Sequence, residues 1–238
     1  MLRRNLASVF VAGAYVFPGG AVDDADRHTD LEAVCTGRTD AAASAQLGIE
    51  RGGLAFWVAA VRECFEEAGV LLAQPAAVAA RLQPYREAIY TGELRLVELC
   101  RREGLHLTVD RIHYFSHWIT PVGAPRRYDT RFFVAEAPRD QTPLHDDQET
   151  IAHLWLRPAD ALSRFETGEL DLIFPTIKNL EAIGKFARTR DLLAAVEAAE
   201  TIAEHHPRLS AGAGDDGEAG VRILLPGDPG YGEALSRG

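Results

Sequence analysis

The segment Arg62-Glu63-Cys64-Phe65-Glu66-Glu67-Ala68-Gly69-Val70 lies near the end of a strongly helical stretch, residues 54–72. Val61 and Phe65 are four residues apart, a helical spacing that predicts an apolar stripe facing the core. Gly69 is a typical helix stop, because glycine adopts the left-handed backbone conformation that ends many helices. The segment therefore predicts a rigid helix whose last turns carry several acidic side chains.

The three glutamates of this helix are the first candidates for chemistry. Glu63 is three residues from Glu66 and four from Glu67, so all three carboxylates share one side of the helix. Carboxylates this close repel one another unless a cation is present. Arg62 is one such cation, and a divalent ion such as Mg²⁺ or Mn²⁺, which prefers oxygen ligands, is a better one. The alternative is a solvated acidic helix face without a ligand.

Residues 62–70 resemble the second half of the Nudix box, G-x5-E-x7-R-E-U-x-E-E-x-G-U, where U is aliphatic. Every fixed position has a counterpart, except that Cys64 stands where an aliphatic residue is usual. The first half matches further upstream, where a Pro-Gly-Gly turn ends at Gly20 and Asp26 follows in place of the usual Glu. Asp26 and Arg62 are 36 residues apart instead of the usual 8, which indicates an insertion of 28 residues.

The composition of residues 23–53 agrees with an insertion. They are polar, small and rich in glycine, and they predict a long loop with one short helix near residues 41–47. A stretch of this length without regular structure is uncommon inside a compact domain and is usually a functional or mobile insertion.

A box split in this way resembles one Nudix subgroup, the peroxisomal coenzyme A diphosphatases and their bacterial relatives. The similarity extends over roughly residues 1–190, in segments 15–20, 66–72, 118–121, 126–130 and 155–158. It implies a mixed α+β fold, a Nudix-type α/β/α sandwich with the 28-residue insertion inside the box and extra helices toward the C-terminus. The expected domains are residues 1–206, with insertions at 27–54 and 76–104, and a linker with a final strand and tail at 207–238.

The resemblance also implies an activity, the metal-dependent hydrolysis of a nucleoside diphosphate linked to another group. The favoured substrate is coenzyme A or acyl-coenzyme A, cleaved to adenosine 3′,5′-bisphosphate and a phosphopantetheine. The cofactor would be Mg²⁺ or Mn²⁺. By position, three residues match the metal ligands: Glu63, Glu66 and Glu67. Three others match the orienting arginine and the turn that lets the backbone approach the metal site: Arg62, Gly19 and Gly20.

Two further candidates lie outside the box. Glu149, in an acidic run before a predicted strand, is the candidate general base, and a plain acidic loop is the alternative. Arg126 and Arg127 precede another predicted strand, where one of them could clamp substrate phosphates in the bidentate manner typical of arginine. The alternative for this pair is a solvated turn with a structural ion pair.

Composition limits the partners. With 25 Lys and Arg against 35 Asp and Glu, the formal charge is −10, which argues against duplex DNA or an anionic membrane as a partner. The longest apolar run is well short of the ~18 residues of a spanning helix. Three widely spaced cysteines predict neither a disulfide framework nor a zinc site, and favour the cytoplasm. The expected partner is a small-molecule nucleoside diphosphate, with the oligomeric state left open between monomer and homodimer.

Two alternatives to coenzyme A hydrolysis stay open. The box binds metal and diphosphate rather than the flanking groups, so NADH, ADP-ribose or another dinucleotide would fit the same motif. A domain that binds a nucleotide without turnover is the third interpretation, although the presence of Arg62 and all three glutamates argues against it.

Overall fold

A computed structural model describes residues 1–7, 11–213 and 219–234 of the chain. In these residues the helices are α1 (Leu31–Val34), α2 (Asp40–Leu47), α3 (Leu54–Ala68), α4 (Ala76–Ala79), α5 (Arg86–Tyr90), α6 (Leu96–Glu103), α7 (Pro158–Glu166), α8 (Phe174–Ile183) and α9 (Thr189–Glu197). The strands are β1 (Leu2–Arg4), β2 (Tyr15–Val16), β3 (Ala73–Gln74), β4 (His106–Leu107), β5 (Ile112–Ile119), β6 (Asp129–Ala135), β7 (Thr150–His153), β8 (Glu204–His205), β9 (Arg208–Ala213) and β10 (Ala219–Leu224). The mixed α+β class is confirmed. Within the described ranges no helix is both long enough and apolar enough to cross a bilayer.

The chain packs as two compact units. The first unit combines Met1–Ile112 with Ala135–Leu193, and the second combines His113–Val134 with Ala194–Gly238. The expected boundary between residues 206 and 207 falls inside the second unit. It stays a prediction.

In the first unit, β1 is the central strand of a small antiparallel sheet in the order β2-β1-β7. Leu2 pairs with Val16 on one side and with His153 on the other. Residues 8–17 are aromatic and β-branched and favour a strand or an extended segment, of which residues 8–10 lie outside the described residues. Within 11–17 only β2 is a strand, because left-handed backbone at Val11 and Gly13 turns the chain between β1 and β2.

Helix α3 forms the core of the first unit, as its periodicity predicted. Trp57, Val61 and Phe65 are fully buried, and the Trp57 indole N–H donates to the carbonyl of Ile112 at 2.8 Å. The helix ends where expected, because Gly69 takes the left-handed conformation at φ 66° and its N–H donates to the Phe65 carbonyl.

The predicted insertion is more ordered than a loop. The short helix expected near residues 41–47 is α2, and α1 and a 3₁₀ turn at Asp24–Arg27 precede it. The Asp40 carboxylate accepts hydrogen bonds from the N–H groups of Gly52 (2.9 Å) and Leu54 (3.0 Å), so α2 caps the start of α3. A Cβ at Gly53 would lie 2.2 Å from the Ser44 nitrogen, so only glycine permits this close packing.

In the second unit, β6, β5 and β8 form one sheet, while β9 and β10 form an antiparallel pair. Two expectations are corrected here. The stretch 207–220, expected as a linker, contains β9. The sequence of residues 191–204 favours a helix throughout, but the helix ends at Glu197, and β8 follows it in parallel with β5. In both segments the backbone N–H and C=O groups are satisfied by pairing with another strand. The small and polar residues there give no local indication of that pairing.

Candidate active site

One guanidinium joins the acidic groups at the end of α3. Arg62 is 6% exposed. Its Nε and Nη2 donate to the Asp26 carboxylate at 3.0 and 2.9 Å, and Nη2 also donates to the carbonyl of Ala21 at 2.8 Å. Its Nη1 donates to Glu63 Oε1 at 2.8 Å and to Glu66 Oε2 at 3.1 Å. The five N–H bonds of a guanidinium are thus directed at fixed acceptors, which orients two of the three glutamates.

Asp26 is the most deeply buried of these acids, at 1% exposure. It lies in the 3₁₀ turn, where it also accepts a hydrogen bond from the Asp23 N–H at 2.9 Å. The sequence match placed Asp26 at the first acidic position of the box, 36 residues before Arg62. The structure brings the two side chains into direct contact, so the shorter Asp reaches the guanidinium across the intervening segment.

The two glycines of the Pro-Gly-Gly turn lie against the other glutamates. The Gly19 N–H donates to Glu67 Oε2 at 3.2 Å. A Cβ at Gly20 would lie 2.5 Å from Glu63 Oε1, so any side chain there would displace the carboxylate. Glycine at this turn therefore allows the backbone and the carboxylates of α3 to share one small volume.

Burial raises the pKa of Glu63, Glu66 and Glu67. Desolvation is the main cause for each of them, and Arg62 offsets it only in part for Glu63 and Glu66. The pKa of Glu66 rises to about 7, and that of Glu67 rises to about 8 because Glu63 and Glu149 add negative charge nearby. The site therefore holds more negative charge than its own residues compensate.

Glu149 is exposed, and its charge contributes to the raised pKa of Glu63 and of Glu67. The Tyr90 hydroxyl donates to Glu149 Oε1 at 3.5 Å. Asp146 shapes the loop that carries Glu149, since its carboxylate accepts hydrogen bonds from the N–H groups of Glu149 at 3.3 Å and Thr150 at 2.8 Å. The candidate base is thus held beside the acidic cluster by groups that the sequence did not single out.

The last carbonyls of α3 are also held by distant residues. Arg86 Nε donates to the Glu66 carbonyl at 2.6 Å, and the Leu144 N–H donates to the Ala68 carbonyl at 2.9 Å. These bonds satisfy groups that a helix end leaves without an intrahelical partner. Sequence reasoning missed Arg86, because nothing in its local pattern indicates a contact 20 residues away.

Cys64 takes the structural place of an aliphatic residue. It packs against Leu2, Ala68 and Val70, and burial raises the pKa of its thiol to about 12. A thiol that stays protonated near neutral pH is not a nucleophile. The one departure from the second half of the box therefore leaves the acidic face unchanged.

The donor set fits a divalent cation. Arg62 pairs with the carboxylates of Asp26, Glu63 and Glu66, and the carboxylates of Glu67 and Glu149 lie near Glu63. Such an all-oxygen set suits Mg²⁺ or Mn²⁺, which also accept water and substrate phosphates as ligands. The carboxylates now point at Arg62 and at the Gly19 N–H, and among the described residues no three acidic, His or Cys side chains form a ready-made ion site. An ion here would be held by Glu63, Glu66 and Glu67.

Arg126 and Arg127 belong to the second unit, between β5 and β6, and both are exposed. Arg127 Nε donates to the carbonyl of Thr120 at 3.2 Å, and the Tyr128 N–H donates to the Thr120 hydroxyl at 3.0 Å. These bonds close the turn between the two strands. A phosphate-binding role for either arginine stays a prediction.

Comparison with known proteins places this arrangement in context. The family described as NUDT19 Nudix domain matches residues 42–183. The chain is 30% identical over 236 residues to the acyl-coenzyme A diphosphatase NUDT19 of Gallus gallus, covering 80% of this chain and 62% of that protein. It is 28% identical over 232 residues to the protein of the same name from Homo sapiens, covering 81% and 62%. The chain thus spans less than two thirds of these relatives.

The fold has a solved counterpart. A Nudix hydrolase from Alicyclobacillus acidocaldarius superimposes with a TM-score of 0.65 at 23% identity, over 85% of this chain and 88% of that one. The Nudix-type fold is therefore shown. The family match begins at residue 42, inside the predicted insertion, so the exact insertion bounds stay a prediction.

Replacing Asp26 by Asn should destabilise the protein by about 3 kcal/mol, because Arg62 would lose its most buried charge partner. The change keeps the size of the side chain. The free energy of unfolding from urea denaturation measures the effect, and Asp24→Asn, an exposed position in the same 3₁₀ turn, is the control, expected within about 0.5 kcal/mol of wild type. Equal stability of the two variants would contradict a structural role for the Asp26–Arg62 pair.

The raised pKa values of Glu66 and Glu67 predict a pH-dependent response to metal. In the metal-free protein, Glu66 and Glu67 contribute their full stabilisation below about pH 4.5, the ordinary pKa of a glutamate. This stabilisation is lost as the pH rises through the folded-state pKa values of about 7 and 8. A divalent ion binds the deprotonated forms and reverses this loss.

Mg²⁺ should therefore raise the Tm by about 5 °C near pH 8 and by less than about half of that near pH 5.5. Scanning calorimetry with MgCl₂ or EDTA at each pH measures the difference. Glu67→Gln should reduce the response near pH 8, whereas the exposed Glu181→Gln should not. A Tm that Mg²⁺ does not change near pH 8 would refute the assignment of the metal site.

Proposed function

Because the chain belongs to the Nudix family, in the group of the NUDT19 Nudix domain, we propose that it is a metal-dependent diphosphatase. Its substrate is coenzyme A or an acyl-coenzyme A. Hydrolysis of the diphosphate gives adenosine 3′,5′-bisphosphate and a phosphopantetheine. The relatives from chicken and human bear the name acyl-coenzyme A diphosphatase, and this supports the choice of substrate.

One observation carries the proposal: the buried Glu66 and Glu67 and the partly buried Glu63 lie together at the end of α3, where Arg62 and the Gly19 N–H fix their positions. A diphosphate is strongly anionic and cannot approach such a face unless cations lie between. Burial, together with the charge of Glu63, raises the pKa values of Glu66 and Glu67, so binding of a cation would favour their charged forms.

Each residue of the site takes a separate part in the proposed reaction. Glu63, Glu66 and Glu67 hold Mg²⁺ or Mn²⁺, which when bound shields the diphosphate charge and lowers the pKa of water. Arg62 does not touch substrate but keeps Glu63 and Glu66 in place. Glu149, exposed beside them, accepts the proton of the attacking water as general base. Water attacks phosphorus directly, so no covalent intermediate with the protein is needed.

A further proposal concerns the binding of a phosphate group. Arg126 and Arg127 are the proposed clamp for a phosphate group, since a guanidinium binds phosphate oxygens in pairs. The proposed partner is thus a small anionic molecule. Location in the cytoplasm and the lack of nucleic-acid or membrane partners stay predictions.

The direct test is turnover. With excess Mg²⁺ or Mn²⁺, the purified protein should cleave coenzyme A and acetyl-coenzyme A in preference to NADH and ADP-ribose, with adenosine 3′,5′-bisphosphate identified by chromatography. Glu66→Gln should lower kcat at least about 100-fold, since even groups outside the ligand shell of a metal contribute 10- to 100-fold.

Glu181→Gln on α8, an exposed change of the same chemistry, is the matched control and should keep full activity. Preferred cleavage of NADH or ADP-ribose would support the diphosphatase activity but would reject coenzyme A as the substrate. Binding of metal and nucleotide without any turnover would reject the enzyme and favour a nucleotide-binding domain.

A further inference from the structure

A cavity of about 300 Å³ opens beside the acidic cluster in the first unit. One wall belongs to the candidate site and includes Asp26, Arg62 and Glu66. The opposite wall is the segment from Ile89 to Leu96, which joins α5 to α6 within the predicted helical insertion 76–104. The volume is at the lower end of the range of ligand pockets. The cavity therefore extends the site toward a part of the chain that the Nudix box does not include.

The charges that line this cavity do not favour a second phosphate. Asp23, Asp26 and Glu66 contribute negative charge, and Arg62 is engaged by its own acceptors. Arg95 is the other cation in the lining, and its side chain is 53% exposed, so solvent screens its attraction for an anion. The lining thus holds three carboxylates and two guanidinium groups, so it has no surplus of positive charge to bind a phosphomonoester.

The segment from Ile89 to Leu96 gives the cavity a wall in which four apolar residues stand beside Thr91 and Arg95. An uncharged chain with both apolar and hydrogen-bonding groups fits such a wall better than a phosphate does. The four apolar residues that line the cavity are Ile89, Tyr90, Leu94 and Leu96. Burial of a flexible, amide-containing chain against such a wall is favourable, while its amides can bond to the polar wall opposite.

We infer that this cavity binds the pantetheine arm of the substrate, and that the phosphorylated nucleoside lies elsewhere. This inference rests on the proposed coenzyme A diphosphatase function. The arm is attached directly to the diphosphate, so its pocket has to border the metal-binding carboxylates. Glu66 meets that condition, because it belongs both to the cavity wall and to the acidic cluster.

Tyr90 links the cavity to the candidate base. Its ring lines the cavity and its hydroxyl donates to Glu149 Oε1 at 3.5 Å. A substrate arm packed on the ring would hold the hydroxyl, and with it Glu149, in place. The α5–α6 segment therefore contacts the group attached to the reacting diphosphate. Through this contact it determines which diphosphate esters the site accepts.

Calorimetric titration of each reaction product tests the inference without turnover. In the presence of Mg²⁺, Leu94→Trp should raise the Kd for 4′-phosphopantetheine at least about 10-fold, because a bulkier side chain fills the cavity. The Kd for adenosine 3′,5′-bisphosphate should change less than about 2-fold, since that product lies outside it. Val221→Trp, at an exposed position of β10, controls for the added indole and should change neither constant.

A second variant guards against misfolding. Leu94→Ala removes apolar contact without adding bulk, and should weaken phosphopantetheine binding about 3-fold with the same selectivity. Equal weakening of both products, or weakening of adenosine 3′,5′-bisphosphate alone, would overturn the inference, as would a wild-type protein that does not bind phosphopantetheine. Loss of the proposed function would appear separately, as absent coenzyme A turnover.

Discussion

The buried guanidinium of Arg62 is the interaction on which the site depends. Without it, the carboxylates of Asp26, Glu63 and Glu66 would be desolvated and would repel one another at short range. With it, they are oriented but not neutralised, because one positive charge faces several negative ones. The remaining imbalance is what a divalent ion and a diphosphate substrate would resolve. The same carboxylates therefore destabilise the metal-free protein and are the proposed ligands of the metal on which activity depends.

That network is held in place by segments far apart in sequence. The 3₁₀ turn supplies Asp26, the Gly19 N–H fixes Glu67, and Arg86 together with the 144–150 loop binds the last carbonyls of α3. The α5–α6 segment adds an apolar wall next to the same acids. The proposed reaction centre thus rests on one helix, and the contacts that we propose choose among diphosphate esters come from the α5–α6 segment beside it.

The parts of this account that sequence could predict are those with local physical causes. Helical spacing and Gly69 fixed the course and the end of α3, and the motif spacing connected Asp26 with Arg62 across 36 residues. Strands β1, β8 and β9 were missed because short segments acquire their structure from a pairing partner and not from their own residues. The roles of Arg86 and Tyr90 were missed for a similar reason, because their hydrogen bonds to the Glu66 carbonyl and to Glu149 join residues far apart in sequence and leave no periodic signal. The role of Asp146 was missed although its hydrogen bonds to Glu149 and Thr150 are local.

The central claim is that Arg62 holds the glutamates of α3 ready for a divalent ion. Anomalous scattering from crystals grown with Mn²⁺ tests it most directly, because the signal locates the ion independently of activity. The account predicts a peak bonded to carboxylate oxygens of at least two among Glu63, Glu66 and Glu67, and its loss in Glu66→Gln. An active protein whose Mn²⁺ lies away from α3 would contradict it.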